Sequence, residues 1–232
     1  MPKSRLPRWY AVLGPLLLAC SRPGPMASGT AKDSNAAPPA TRPELLLIGT
    51  SLTAGYGLDP SQAWSAQLQQ RIDAAGLPFA IRNAGVSGES SADALHRLDW
   101  LLGASHPALI MVETGANDAL RGQSVDSVAA NLDAILTRLD QLQPRPVVVV
   151  AGMEALPNLG RQYGDRFRAV FVTAARAHRD VYLPFLLAGV AGVDSLNQGD
   201  GIHPNAHGSV LVADNVWRTL HPLLDSLQHT HP

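Results

Sequence analysis

Short apolar runs recur along the chain, and a segment with the spacing of a helix separates each from the next. Uninterrupted runs of Val, Ile and Leu are typical of strands that are buried on both faces of a parallel sheet. The pattern therefore predicts five strands, which are Leu45–Ile48, Phe79–Ile81, Leu109–Val112, Val147–Ala151 and Val181–Leu183.

The intervening segments carry apolar residues three or four positions apart, as the buried side of an amphipathic helix requires. This alternation of strands and helices predicts an α/β fold of three layers, with the parallel sheet between two layers of helices. In such sheets ligands bind beyond the carboxyl ends of the strands. The residues that mark the helices are Trp64, Leu68 and Ile72; Leu98 and Leu102; Val128 to Leu139; Phe167 to Ala174; and, after His203, Val210, Leu211, Val216 and Leu220.

The first 20 residues have the order of a secretory signal, with three basic residues followed by an apolar run over 9–19. That run is too short for a membrane span, which needs about 20 residues. Cys20, the single cysteine, ends the sequence Leu17-Leu18-Ala19-Cys20, which resembles a bacterial lipobox and predicts a lipidated thiol. The alternative is a cysteine that is removed with an ordinary signal. Both interpretations predict export and a fold without disulfides.

Residues 21–43 are rich in Pro, Ala and Ser, without apolar periodicity, and are interpreted as a flexible linker. One folded domain is then expected over residues 44–232. The net charge is −1 and the chain has no long basic run, so nothing indicates a nucleic-acid surface.

Small residues surround a serine directly after the first predicted strand, in Gly49-Thr50-Ser51-Leu52. Such a serine can present its hydroxyl and its backbone N–H to a ligand, although capping of the next helix is the commoner role. A nucleophile elbow would need a glycine where Thr53 stands. A phosphate loop would need a lysine that this turn lacks.

Two further polar turns follow the second and third strands. The segment around Gly88 has glycines that let backbone N–H groups point at a ligand. Asn117 follows the third strand, and its amide can donate a hydrogen bond to a developing oxyanion. Each segment taken alone is equally consistent with an ordinary turn.

An Asp-x-x-His element lies near the C-terminus. Asp200 can accept a hydrogen bond from Nδ1 of His203, which fixes the tautomer so that Nε2 faces a nucleophile. Pro204 suits the first position of a helix and would place His203 at the helix start. A metal pair of His203 with His207 is the alternative, but no further ligands complete it. The remaining histidines, including His178, are interpreted as solvated.

Taken in order, these motifs resemble the GDSL-type esterases of the SGNH hydrolase superfamily. The resemblance extends over the predicted domain, and it implies a flavodoxin-like fold and a monomer. It places the family's invariant residues at Ser51, Gly88, Asn117 and His203, with Asp200 as the acid. The branch most similar to this chain comprises periplasmic arylesterases, thioesterases and lysophospholipases.

The resemblance implies a serine hydrolase that needs no metal or organic cofactor. Ser51 would attack an acyl ester, His203 and Asp200 would move the proton, and Ser51, Gly88 and Asn117 would form the oxyanion hole. Leu120, Leu156 and Leu159 would contact the acyl chain, in loops that follow the third and fourth strands. The family's Gly-Asp-Ser-Leu reads Gly49-Thr50-Ser51-Leu52 here, so one negative charge beside the nucleophile is missing.

Two other functions stay open at this stage. One is removal of acetyl groups from a sugar or cell-wall polymer, which uses the same residues in a more polar pocket. The other is a lipid-anchored binding module without catalysis, which only Thr50 favours.

Overall fold

The predicted five-stranded sheet is present, and all of its strand pairs are parallel. The computed structural model describes residues 42–103 and 105–229. The strands follow the spatial order β2-β1-β3-β4-β5, so the chain runs outward from β1 in both directions. Their bounds are β1 Glu44–Gly49, β2 Ala80–Gly85, β3 Leu109–Val112, β4 Val147–Ala151 and β5 Val181–Leu183.

Helices cover both faces of this sheet, which gives the predicted three layers. The helices are α1 Ser51–Ala54, α2 Trp64–Ala74, α3 Ser91–Gly103, α4 Ala116–Leu120, α5 Val125–Asp140, α6 Arg161–His178 and α7 Ala206–Gln228. On one face α2 packs against α7, and on the other α5 packs against both α3 and α6. The central strands β1, β3 and β4 are buried almost throughout because they lie between the two helical layers.

The second strand differs from its prediction because it is an edge strand. It begins at Ala80, one residue later than predicted, and continues to Gly85 through Arg82 and Asn83. An edge strand is only half covered, so polar side chains fit within it and the apolar run is short. Arg82 donates to Glu44 at 2.8 Å, and Asn83 donates to the carbonyl of Thr53 at 2.7 Å.

The last helix was predicted with a wrong start and a partly wrong apolar side. It begins at Ala206, with Asn205 as its N-cap, so Pro204 and His203 lie in the loop before it. Val210 and Leu211 are both 38% exposed, which contradicts their predicted burial. Both residues are strongly apolar, and this character alone led to the wrong assignment. The buried side of the helix is formed by Val212, Ala213, Val216, Leu220 and Leu224.

His178 is not solvated as predicted. Its side chain is 11% exposed, and its two ring nitrogens lie 2.7 Å from Asp140 and 3.1 Å from Asp133. Burial favours the neutral imidazole, but the two carboxylates outweigh it and raise the pKa of His178. His178 thus joins the end of α6 to α5.

The predicted signal, Cys20 and most of the predicted linker lie outside the described residues. The folded part starts slightly before residue 44, since the carbonyl of Pro43 accepts from the N–H of Ala80 at 3.0 Å and Arg42 pairs with Asp73. None of the helices in the described ranges has the length and apolar character that a membrane span requires.

Candidate active site

The turn after β1 presents Ser51 toward the carboxyl edge of the sheet. Thr50, not Ser51, is the N-cap of the short helix α1, so the capping interpretation of Ser51 is wrong. Gly49 is needed just before this turn, because an added Cβ would lie 2.2 Å from the Thr53 hydroxyl. Ser51 is therefore held at the first position of α1, 9% exposed, with its hydroxyl available to another element.

That other element is the loop between β5 and α7. Nε2 of His203 lies 2.8 Å from Oγ of Ser51, and Nδ1 lies 2.6 Å from Oδ2 of Asp200. Because the carboxylate accepts at Nδ1, the imidazole carries its proton there and Nε2 is free to accept from the serine hydroxyl. The expected Ser-His-Asp chain of hydrogen bonds is thus formed in space.

Asp200 is held as an anion by donors of its own loop. It accepts from the N–H of His203 at 3.0 Å, from the imidazole, and from the N–H of Ile202 at 2.9 Å. These bonds lower the pKa of Asp200 to about 2. The N–H of Gln198 also donates to the carbonyl of His203 at 2.7 Å. The loop's own hydrogen bonds, rather than a helix start, therefore fix the histidine.

The metal alternative does not suit this geometry. Both ring nitrogens of His203 are engaged by Ser51 and Asp200, and His207 is exposed on α7. No group of three or more metal-ligating side chains occurs in residues 42–103 and 105–229.

Three free hydrogen-bond donors belong to residues that line one cleft together with His203. The N–H of Ser51 lies in the first turn of α1, where no intrahelical acceptor exists. Gly88, with a φ of 82°, stands in the loop after β2, and no acceptor for its N–H occurs in the described part of the chain. Asn117 donates one amide N–H to the carbonyl of Glu89 at 2.9 Å and retains a second.

The Gly88 loop is fixed by side chains that the sequence interpretation missed. Nη2 of Arg121 donates to the carbonyl of Gly88 at 2.7 Å. Arg97 pairs with the buried carboxylate of Glu89 and donates to the carbonyl of Ala84 at 2.7 Å. No role for these arginines follows from the sequence, because they bind carbonyls and a carboxylate that only the folded loop brings near.

A cleft of about 530 Å³ opens over Ser51 and is lined mainly by apolar side chains. Leu120 and Leu156 line it as predicted, but Leu159 does not and packs partly buried against the core. The loop after β4, which was expected to shape the pocket, also contributes Ala155 and Pro157 to the lining. Sequence reasoning missed Met153 and the chain after β5, which contributes Phe185 and Leu187.

Polar groups are few in this cleft. Among its lining residues in the described part of the chain, Glu154 is the one carboxylate, and it pairs with Arg168 at 3.2 Å on the exposed side. The ring of Tyr56 lies 4.8 Å from the His203 ring, measured between centroids, and covers one side of the imidazole. The site thus combines a nucleophile with a pocket suited to an apolar group.

An oriented Ser-His-Asp chain, free N–H donors beside it and an apolar cleft are the parts of a serine-type acyl-transfer centre. The model of the GDSL-like lipase/acylhydrolase family matches residues 47–211. The chain therefore belongs to this family, which confirms the resemblance drawn from its motifs.

Individual relatives agree with this membership. Esterase TesA of Pseudomonas aeruginosa is 38% identical over 78% of this chain and 89% of its own length. Thioesterase 1/protease 1/lysophospholipase L1 of Escherichia coli is 33% identical over 78% of this chain and 85% of its own.

Solved structures show the same fold. The crystal structure of TesA superposes with a TM-score of 0.74 at 38% identity, over 78% of this chain and 99% of that one. The psychrotrophic esterase EstA from Pseudoalteromonas, inhibited by monoethylphosphonate, gives 0.74 at 31% identity over 78% and 98%. The SGNH-hydrolase family esterase AlinE4 gives 0.65 at 33% identity over 82% and 97%.

Proposed function

We propose that this protein hydrolyses carboxylic esters through an acyl-enzyme on Ser51. One observation carries the proposal: the hydroxyl of Ser51 lies 2.8 Å from Nε2 of His203 at the base of an apolar cleft. Relatives named esterase and thioesterase support the same reaction class.

In the first step, Nε2 of His203 takes the proton of Ser51 while Oγ bonds to the substrate's carbonyl carbon. The carbonyl oxygen becomes an oxyanion, which the N–H groups of Ser51 and Gly88 and the free amide N–H of Asn117 stabilise. Removing one such donor typically costs about 10²–10³ in rate. Collapse of the intermediate breaks the bond to the leaving oxygen, which takes the proton from His203.

In the second step, His203 takes a proton from water, and the resulting hydroxide attacks the acyl carbon. The bond to Ser51 then breaks, and Oγ regains its proton from Nε2. Asp200 stays ionised throughout and stabilises the imidazolium that forms in both steps. These steps use side chains and backbone groups of the chain itself.

The apolar cleft favours aryl esters or short-to-medium acyl esters as substrates. Leu120, Leu156, Met153 and Phe185 offer an acyl chain or aromatic ring an apolar lining. Thioesters and lysophospholipids share the acyl part that this lining would contact.

The two alternative functions fit the cleft less well. A carbohydrate O-acetyl esterase binds a hydroxyl-rich substrate that needs polar partners, and the lining offers few. An inactive binding module would not need the Ser51–His203–Asp200 chain, which is intact. Both observations favour a catalyst for esters with an apolar acyl or aryl part.

We also propose that the protein is exported, with Cys20 as a lipidation site that anchors it to a membrane. The N-terminal sequence alone supports this part of the proposal. Fractionation of cells that express wild type or Cys20→Ala tests it. Anchoring predicts that the variant leaves the membrane fraction, and an unchanged distribution would count against lipidation.

The hydrolase proposal is tested with p-nitrophenyl acetate, butyrate and octanoate. We expect turnover of all three by the wild type and background rates for Ser51→Ala. Equal rates for the two proteins would contradict the proposal. The dependence of kcat/KM on chain length defines the acyl preference.

A further inference from the structure

A buried carboxylate lies directly behind the nucleophile turn. Glu113 follows β3 and is only 1% exposed. Its Oε2 accepts from the N–H of Thr50 at 2.7 Å and from the Thr53 hydroxyl at 2.9 Å. Its Oε1 accepts from the Thr50 hydroxyl at 2.9 Å. No ion pair to this carboxylate forms within residues 42–103 and 105–229, so neutral donors alone satisfy it.

The Thr50 hydroxyl is placed to donate a hydrogen bond to Glu113. The Thr50 hydroxyl lies near both carboxylate oxygens, at 2.9 and 3.1 Å, and accepts from the N–H of Leu52 on its other side. Its proton can reach either oxygen of Glu113. Both oxygens of Glu113 act as acceptors, and the carboxylate needs no proton of its own to bind its neighbours. Burial outweighs the hydrogen bonds from Thr50 and Thr53, so the pKa of Glu113 is raised.

This arrangement fixes the backbone that aims Ser51. Thr50 precedes the nucleophile, and both its N–H and its hydroxyl are bound by Glu113. The position of the Ser51 N–H, one of the free donors of the site, depends on the same peptide units. Glu113 contacts neither the cleft nor His203, so it acts through Thr50 rather than on the substrate.

The family motif Gly-Asp-Ser-Leu has an aspartate where Thr50 stands. An aspartate here would bring a second carboxyl group against Glu113. Two adjacent carboxyl groups do not both ionise readily, so one of them keeps a proton and its pKa is raised. A threonine hydroxyl does not ionise between pH 6 and pH 10, so it can donate to Glu113 without sharing a carboxyl proton.

We propose that Thr50 and Glu113 form a positioning pair for the Ser51 turn. Because Thr50 offers a hydroxyl and not a second carboxyl group, the geometry of the turn does not depend on a proton shared between two carboxyl groups. The proposal rests on the proposed esterase function. It predicts that the geometry of the nucleophile tolerates alkaline pH better with Thr50 than with an aspartate at that position.

The groups around Glu113 leave few other sources of a pH effect. From α1 and its N-cap it faces the neutral side chains of Thr53 and Thr50, and from β1 it faces Gly49. No charged side chain contributes to its pKa in the described part of the chain. His203 is a titratable group that hydrogen-bonds to Ser51, the residue after Thr50 in the turn.

The direct test compares Thr50→Asp with the wild type from pH 6 to pH 10. As pH rises, the introduced aspartate and Glu113 lose their shared proton and the two charges repel each other. We expect kcat of the variant to fall by about tenfold or more beyond any change in the wild type, while KM stays nearly constant. The reason is that a displacement of 1 Å at a reacting group costs up to about 10²-fold in rate. The melting temperature should fall over the same pH range.

Three further variants separate this effect from simple damage. Thr50→Ser keeps the hydroxyl and should follow the wild-type profile. Thr50→Val removes the donor and should lower kcat at all pH values equally. Adding Glu113→Gln to Thr50→Asp lets the new amide donate to the aspartate, which should abolish the extra alkaline decline in both kcat and melting temperature.

Coincident profiles of Thr50→Asp and wild type would overturn the proposal, as would an alkaline decline that survives Glu113→Gln. If Thr50→Asp does not fold, equal kcat for Thr50→Val and Thr50→Ser would overturn it. The melting temperatures test the pair without catalysis. An active Ser51→Ala would instead refute the proposed function, so the two failures are distinguishable.

Discussion

Nε2 of His203 lies 2.8 Å from Oγ of Ser51, although 152 positions separate the two residues in the chain. One residue follows β1 and the other follows β5, and the parallel sheet places both loops at its carboxyl edge. This contact joins the first and last motifs of the chain into one proton path, with Asp200 at its far end. Substitutions along that path, and in the elements that support it, should each have a distinct effect.

Replacement of Asp200 should disturb the orientation of His203 without disturbing the fold. Asp200→Asn presents an amide to Nδ1 and favours the wrong imidazole tautomer, so kcat should fall by up to about 10⁴-fold with KM little changed. Steady-state kinetics on p-nitrophenyl butyrate measure this. Asp194→Asn, at an exposed aspartate in the same loop, is the matched control and should retain wild-type kcat. Equal kcat for both variants would contradict the assigned role.

Acid stability should depend on the same aspartate. Hydrogen bonds lower the pKa of Asp200 from 3.8 to about 2, so its contribution to stability is present above the ordinary value and is lost as pH falls toward 2. Melting temperatures at pH 2 to 6 should therefore converge for wild type and Asp200→Asn at the acid end. A constant difference across that range would contradict this linkage.

The Gly88 loop should depend on Arg121. Arg121→Met keeps much of the side chain's length but removes the donor to the Gly88 carbonyl, so the Gly88 N–H loses its fixed direction. Arg121 acts at one remove from the substrate, so we expect kcat to fall by about tenfold, less than for loss of an oxyanion donor itself. Arg161→Met, at an exposed arginine outside the cleft lining, should have no effect. A change in KM alone, without loss of kcat, would count against this account.

Two leucines of the cleft lining should set chain-length preference. Leu120→Ala and Leu156→Ala remove apolar surface from the lining, so kcat/KM for the octanoate ester should fall by up to about tenfold while the acetate ester is spared. Leu159→Ala is the control, because Leu159 packs against the core outside the cleft. The prediction fails if all three variants change the octanoate-to-acetate ratio equally.

His178 should stabilise the fold in a pH-dependent way. Its raised pKa means that the stabilisation is complete below the ordinary histidine value of about 6.5 and is lost as pH rises through the raised value. The loss of melting temperature in His178→Gln should therefore be larger at pH 6 than at pH 9. His106→Gln, at an exposed histidine, should show no such difference. A pH-independent loss in His178→Gln would contradict the charged pairing with Asp133 and Asp140.

The sheet and the site positions were predictable because local patterns determine them. Apolar runs identify the central strands, such as Leu109–Val112, since both faces are buried and every side chain is constrained alike. The rule that parallel strands gather their following loops at one edge then brought Ser51, Gly88 and Asn117 together. For the Asp-x-x-His element, the three-residue spacing sufficed to predict the bond between Asp200 and His203.

Other features depend on contacts between distant parts of the chain and left no local signal. The polar edge strand β2 broke the apolar pattern because one of its sides is open. Arg121 donates to a backbone carbonyl oxygen, and because every residue has such an atom, no residue pattern indicates this contact. Glutamate usually lies at the surface, yet the fold buries Glu113 against Thr50. Leu156 and Leu159 belong to the same predicted loop, and only its course in the fold places Leu156 in the cleft and Leu159 against the core.

The central claim is that Ser51 is the nucleophile and His203 is its base. Mass spectrometry of the intact protein after reaction with an aryl monoethylphosphonate ester tests this most directly. Attack of Oγ on phosphorus releases the aryl oxide and leaves one phosphonyl group on the protein. We expect a single adduct that peptide mapping places on Ser51, formed far more slowly in His203→Ala and absent from Ser51→Ala. An adduct of equal yield in Ser51→Ala, or one mapped to another residue, would contradict the assignment of Ser51 as nucleophile.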